Sequence, residues 1–380
     1  MNFNRITFGL LSYLAIYSGF AQFDPQSFGG AGMDRGVGIT MTNNEDGYLI
    51  AGLTTSFGAL GEDIYLVRTD LGGNLIWQKT FGGPQDDNAW FIQRTNEGTY
   101  LIAGFSNSYS EGDWDIYLIE INESGDEVWS QNLEMPGDQY AWSLWREAEG
   151  SYVVVGQSND TDEQKATTLC VKLSPKGEVL WIYQSSSEHL NRAFGITRLG
   201  DDYFISGLIA TGLGDLDGFV TSLSATGVEQ WTKTYGGASQ DLFHAIHTSP
   251  DGAIIASGYA KRFEQEANSP WIVKIDNSGQ VIWDKSYGSQ AEERIVSATI
   301  AANGDISLLG YVLKESNVDL LRLQIDPLGQ LHSYEAFGSP KDDAAGQTLL
   351  IHSDRLIYTG RSLQPDPEGD LILVIEELKP

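Results

Sequence analysis

Leu75-Ile76-Trp77-Gln78-Lys79-Thr80-Phe81-Gly82-Gly83 reads as a β-strand running into a tight turn, and versions of it return at nearly fixed intervals along the 380 residues. Aligned on the residue before the Gly-Gly, the repeats begin at Phe28, Phe81, Leu133, Ser185, Tyr235, Tyr287 and Phe337. A period of about 50 residues with strand-like patterning inside it is the signature of a β-propeller, one four-stranded blade per repeat. Seven starts predict seven blades.

The second repeat shows how a blade is written. Asn88–Arg94 is the expected first strand, Asn96-Glu97-Gly98 a turn, Tyr100–Phe105 the second strand and Asp115–Ile121 the third. Ser124-Gly125-Asp126 then turns into the fourth, Glu127–Leu133. A glycine follows the β-rich run of every repeat, at Gly52, Gly104, Gly156, Gly207, Gly258, Gly310 and Gly360. Glycine weakens a strand unless backbone must approach something closely, so the same close approach is expected in each blade. Trp77, Trp129, Trp181, Trp231 and Trp283 recur in the fourth strand, as rings that pack between sheets would.

The ends predict ring closure. The last repeat stops after its third strand, Asp370–Leu378, while Gln22–Phe28 is strand-length and runs directly into Phe28-Gly29-Gly30. Pairing the start of the chain with the last blade supplies its fourth strand and removes an exposed sheet edge. No linker or low-complexity tract interrupts the repeats, so residues 22–380 are expected to form one all-β domain.

Ahead of it, Arg5 precedes an apolar run from Ile6 to Ala21, interrupted by Ser12, Tyr13, Tyr17, Ser18 and Gly19 and ending Gly19-Phe20-Ala21. This reads as a secretory signal over residues 1–21, and the run is too short and too polar for a membrane span. Export to the periplasm, cell surface or exterior follows as an expectation. The 43 glycines, 11 prolines and 41% hydrophobic residues suit many short strands and tight turns. A net charge of −29 argues against nucleic acid as a partner and for solubility as a monomer. The single cysteine, Cys170, lies in an alternating strand pattern and reads as a small buried hydrophobe.

Phe81-Gly-Gly83, Asp87, Tyr100-Leu-Ile-Ala-Gly104, Asp115-Ile-Tyr-Leu118 and Gly125-x-x-x-Trp129 together resemble the bacterial secreted β-propeller repeat family found in cell-surface proteins. The resemblance covers the whole chain after the signal and implies export and a propeller, but no single activity. Repeats three and four depart from it, with Glu134-Met135 and Ser186-Ser187 in place of Gly-Gly. The turn Ser224–Trp231 is also similar to the docking motif of quinoprotein dehydrogenases and of a cofactor-free outer-membrane assembly scaffold, which implies a structural role. With seven repeats and one cysteine, the chain lacks the eight blades and adjacent cysteine pair of the quinone enzymes.

Two polar and aromatic patterns are candidates for function. Six residues after each repeat start stand Asp34, Asp87, Gln139, Asn191, Asp241, Glu293 and Asp343, a ring expected around one mouth of the central channel. Asp34, Asp87, Asp241 and Asp343 are the candidate ligands for a hard cation such as Ca2+; acceptance of backbone N–H bonds within each turn explains the same residues. A second acidic set, Asp63, Asp115, Asp217, Asp319 and Asp370, opens the third strands.

At one position of the inner strands stand Val37, Trp90, Trp142, Phe194, His244, Val296 and Gly346, so the bulky residues fall in consecutive blades. Trp90, Trp142, Trp145, Arg192 and His244 are the candidate ligand-binding residues, a stacking platform for a sugar or peptide; packing between blades is the competing explanation. Trp145 and His244 are expected to face solvent.

No nucleophile elbow, zinc helix or phosphate loop is present. The reading is a secreted, non-enzymatic binding or scaffold protein with a glycan or protein ligand at one face. The alternative is a polysaccharide lyase, with His244, Tyr140 and Arg192 drawn together.

Overall fold

The computed structural model describes residues 25–377 apart from 59–60, 111–112, 160–165, 187–189, 213–214, 238, 262–266, 289–290, 315–316, 353–354 and 364–367. The expected signal at residues 1–21 lies outside the described residues. Seven four-stranded antiparallel sheets follow one another, and the chain is a seven-bladed β-propeller. Numbered in chain order, the blades have inner strands Asp34–Met41, Asp87–Arg94, Asp138–Arg146, Asn191–Leu199, Leu242–Thr248, Glu292–Ile300 and Asp343–His352. Each inner strand touches the next, and the seventh touches the first, so these strands wall a central channel. Among the described residues no helix is long and apolar enough to cross a membrane.

Closure follows the expected route. Gln26–Phe28 pairs antiparallel with Asp370–Glu377, with Phe28 opposite Leu371 and Gln26 opposite Leu373. Phe28 is buried with Leu371, Leu373 and Ile357 of blade seven and with Ile39, Tyr48, Ile50, Tyr65 and Val67 of blade one. The core is a succession of such layers between blades; Leu101, Ile116 and Leu118 of blade two, for example, meet Leu144, Tyr152 and Leu169 of blade three. Cys170 is buried in one of these layers, and desolvation pushes its thiol pKa up, away from thiolate chemistry.

The recurring glycine has a specific cause. Every inner strand carries a register shift at the same place, skipping Val37, Trp90, Trp142, Phe194, His244 and Val296 in blades one to six and spanning Gly346 in blade seven. A β-bulge of this kind re-aims the extra side chain and bends the strand. The glycine of the second strand sits against the carbonyl just before the bulge: a Cβ on Gly104 would lie 1.8 Å from the Asn88 oxygen, and one on Gly207 1.8 Å from that of Arg192. Repeated bulge and repeated glycine are one device.

The Gly-x-x-x-Trp motif likewise works between blades. A Cβ on Gly125 would meet the Trp77 ring at 2.7 Å, and the same relation links Gly177 to Trp129, Gly227 to Trp181 and Gly279 to Trp231. Each tryptophan therefore lies under the turn of the following blade, and its glycine leaves room for the ring.

Candidate functional site

The bulge gives the first candidate surface. In blades two to five the unpaired residue is aromatic, and these rings touch in series along the channel wall. Trp90 meets Trp142 edge-on at 4.5 Å between centroids, Trp142 meets Phe194 at 6.2 Å and Phe194 meets His244 at 5.1 Å. A second tier comes from the strand residue two before the bulge and from the residue after the recurring glycine. Phe105 packs against Tyr140 at 4.9 Å and Trp114 at 5.3 Å, and Tyr140 lies nearly parallel to Trp142. The indole Nε1 atoms of Trp90 and Trp142 are buried with no acceptor among the described residues. The arc therefore presents partly exposed ring faces, with its indole N–H groups buried.

Across the channel the same two positions hold different chemistry. Two residues before the bulge stand Arg35, Arg192 and Arg294 in blades one, four and six, and after the recurring glycine stand Tyr259, Tyr311 and Arg361 in blades five to seven. Arg294 lies over the Tyr259 ring at 4.7 Å and pairs with Glu292 at 2.8 Å. Arg35 lies over Trp90 at 5.5 Å, joining the basic side to the aromatic one.

Burial, and then the neighbouring Arg361, hold the Arg35 pKa below its ordinary value, while Tyr311 and Glu62 work the other way. His244 is half-buried against Phe194 and Tyr259. Its pKa is pushed down to about 4, chiefly by desolvation and further by Arg294, so the ring is neutral at pH 7.

The structure places the predicted site residues in three groups. Trp90, Trp142 and His244 share the first mouth, with Arg192 two residues before Phe194 on the blade-four strand. Trp145 lies apart from them. It stands three residues beyond Trp142, roughly 10 Å along the strand, opposite Val153 and close to the turn at the other end. There it lines an open cavity of about 580 Å3 with Arg146, Glu147, Ala148, Arg198 and Gly200.

The expectation that His244 faces solvent is corrected to a half-buried ring deep in the mouth. Nor does His244 sit with Tyr140: its aromatic neighbours are Phe194 and Tyr259, and the charge acting on it is Arg294. The bulge, which breaks strict alternation, turns the His244 ring toward the channel wall.

The four aspartates proposed for Ca2+ do not converge; among the described residues no three of His, Cys, Asp and Glu come together as a metal site. Each is fully buried and accepts from its own turn. Asp34 takes the Gly30 N–H at 2.9 Å and the Ser56 hydroxyl at 2.6 Å; Asp87 takes the Gly83 N–H at 2.8 Å and the Ser108 hydroxyl at 2.7 Å. Asp241 accepts from the Gly237 and Lys261 N–H groups, and Asp343 from that of Ser339.

The acids of the second set face the same turns. A Cβ on Gly82 would lie 2.4 Å from Asp63 and 2.6 Å from Asp87, and one on Gly236 2.3 Å from Asp217 and 2.7 Å from Asp241. The first glycine of Gly-Gly is thus cradled between two carboxylates. Where that first glycine is absent, in repeats three and four, amides replace the carboxylate: Gln139 donates to the Pro136 carbonyl and Asn191 accepts from Thr168.

Tyr259, Tyr311, Arg35 and Arg361 escaped the sequence reading. The signal for three of them was present, as the residue following each recurring glycine, but that position was not read as a ring of its own.

No family model and no curated protein matches the chain. Solved structures do. An ulvan lyase of a polysaccharide lyase family, bound to -[GlcA(1-4)Rha3S]-, is similar at a TM-score of 0.63 with 10% identity, over 94% of this chain and 96% of that one. The β-propeller domain of the trilobed protease from Pyrococcus furiosus, with an open velcro topology, is similar at 0.52 with 12% identity, over 88% and 92%. Sqt1 from Chaetomium thermophilum is similar at 0.51 with 9% identity, over 93% and 100%. At these identities the likeness is one of fold.

Proposed function

We propose that the chain is a secreted, non-enzymatic glycan-binding propeller of the bacterial cell envelope or exterior, with the first channel mouth as its site. This keeps the export and the membership of the secreted propeller repeat family expected from the sequence. The observation that carries the reading is the continuous aromatic arc from Phe105, Trp114 and Tyr140 through Trp90 and Trp142 to Phe194 and His244. Trp90, Trp142, Phe194 and His244 are each only half-buried, so ring surface is left along the channel wall for a ligand. Sugar rings match such a surface, with C–H faces for the aromatics. The test is retention on a panel of immobilised polysaccharides. Trp142→Ala should weaken binding several-fold, since stacking contributes on the order of 1 kcal/mol; unchanged retention by that variant would remove the arc from consideration.

A second reading, a lyase acting on an acidic polysaccharide, is favoured by one observation. His244, neutral at pH 7, lies 5.8 Å from the Tyr259 ring, and Arg294 lies over that ring at 4.7 Å. A neutral imidazole can accept the proton beside a uronate carboxylate while an arginine balances the charge that develops. Absorbance of unsaturated products on incubation with uronate polymers separates the readings: release abolished by His244→Gln supports the lyase, and retention without release supports binding alone.

A further inference from the structure

We infer that the saccharide received at the first mouth is acidic, with a carboxylate or sulfate held on the basic side by Arg35 and Arg361. The inference rests on the reading of the aromatic arc as a glycan surface and adds the chemical class of the ligand.

The first argument is one of charge economy. The chain has 52 acidic residues against 23 lysines and arginines, so a carboxylate is the commonest charged neighbour an arginine can have. Most other described arginines find one, and Arg146 binds the Asn96 side chain instead. Arg68 pairs with Asp46, Arg198 with Glu147, and Arg322 with both Glu335 and Glu376. Among the described residues Arg35, Arg192 and Arg361 form no ion pair, although all three lie around one channel mouth. The ring aspartates nearest to them are folded into their own turns.

The second argument is geometric. Blade one backs directly onto blade seven, where a Cβ on Gly36 would lie 1.9 Å from the Thr359 hydroxyl. Arg35 precedes Gly36 and Arg361 stands two residues beyond Thr359, close enough for Arg361 to disfavour the charge on Arg35. The described polar contact of the Arg361 guanidinium is Met33 Sδ at 3.3 Å, a weak acceptor. Two neighbouring guanidinium groups that pair with no carboxylate are stabilised by an anion, and their planar shape suits carboxylate and sulfate oxygens.

The large negative net charge does not oppose this. At physiological salt the Debye length is about 8 Å, so the groups lining the mouth decide local affinity. It instead sharpens the test, because a chain of charge −29 has little non-specific attraction to a polyanion.

The experiment measures retention of the full chain on polygalacturonate, dextran sulfate and neutral dextran gels, for the native protein and for Arg35→Gln, Arg361→Gln, Arg192→Gln and Trp142→Ala. Circular dichroism checks that each variant is folded, and Arg192→Gln serves if Arg35→Gln is not. The expected result is retention on one or both acidic gels, weakened roughly ten-fold or more by Arg361→Gln and lost with rising salt. Which acidic gel retains the protein identifies carboxylate or sulfate. Retention on neutral dextran alone, sensitive to Trp142→Ala but not to the arginine changes, overturns the acidic ligand and leaves the glycan reading standing. Retention on no gel, or retention indifferent to Trp142→Ala, overturns both.

Discussion

The two ends of the channel use arginine in opposite ways. At the second mouth Arg94, Arg146 and Arg198 occupy one position in consecutive blades, and each reaches back to the turn of the blade before. Arg94 donates to the Thr42 carbonyl, Arg146 to the Asn96 side chain and Arg198 to Glu147. They form a girdle that ties neighbouring sheets. At the first mouth the contacts between blades are weaker, Arg361 on the Met33 sulfur and Arg35 on the Trp90 indole face, and among the described residues Arg35, Arg192 and Arg361 form no ion pair. The same residue type is thus structural at one end and available to a ligand at the other. Partners, and not charge, tell the two apart.

The largest effect should come from breaking the closure on which the first mouth depends, because Arg361 of blade seven is brought to Arg35 of blade one only when the ring is shut. A chain beginning at Gly29 loses the strand Gln26–Phe28 and leaves Asp370–Glu377 as an unpaired edge. We predict a broad transition in which calorimetric and van't Hoff enthalpies no longer agree, together with loss of retention on acidic gels. A single sharp transition at the native temperature would mean that the short strand is dispensable.

Next in size is the girdle itself. Glu147 has 2% of its surface exposed and receives Arg198 and the Tyr203 hydroxyl, with Lys172 3.7 Å away. Glu147→Ala would strand those donors at a cost of about 3 kcal/mol, whereas Arg192→Gln at the other mouth should change stability by less than about 0.5 kcal/mol. Urea midpoints at constant m-value measure both. Comparable losses from the two would erase the distinction between the mouths.

A smaller effect is tied to pH. His244 is pushed down to about 4 by burial and then Arg294, and His247 to about 4 by burial, against the opposing Ala298 backbone contact. In the unfolded chain both titrate near 6.5. Between those values the unfolded state holds more protons, so both rings contribute stability fully above about pH 6.5, progressively less as pH falls, and none below about 4. His244→Gln and His247→Gln should each flatten the loss of melting temperature between pH 6.5 and 4. A variant as acid-sensitive as the native protein would show that its ring is protonated in the fold.

The architecture was legible because it is repeated. Seven glycines at one spacing, seven turns and a chain end of complementary length leave little choice of fold, and the second repeat's third and fourth strands fall where turn residues placed them, at Asp115–Ile121 and Glu127–Leu133. The site was legible only in part, because it lies where the repeats differ. Trp90, Trp142 and His244 stood out as departures from small residues. The bulge that aims them was not visible, since a one-residue offset between paired strands leaves no mark on either strand alone, and Trp145 was grouped with them although three residues of strand carry it to the other mouth. Arg35 and Arg361 come from the first and seventh blades, 326 positions apart in the numbering, and only closure of the ring makes them neighbours.

The smallest expected effect concerns the carboxylates of the first mouth, which complete the contrast with its arginines. If Asp34, Asp87, Asp241 and Asp343 held calcium, saturation at about 100 times the dissociation constant would add roughly 2.7 kcal/mol per site and raise the melting temperature by several degrees. Their geometry points the other way. One oxygen of each already accepts an N–H bond within its turn. Asp343 is pushed above the usual carboxylate range by burial, with Asp319 adding to it and Ser362 and Ser339 opposing. A carboxyl that resists ionisation is a poor ligand for a hard cation. We therefore expect melting curves in millimolar calcium and in chelator to agree within about 1 °C, a span that corresponds to only tenths of a kcal/mol. A calcium-dependent rise abolished by Asp87→Asn but not by Arg361→Gln would place a cation among the turns, and the acidic ring would then be a second functional element of the mouth.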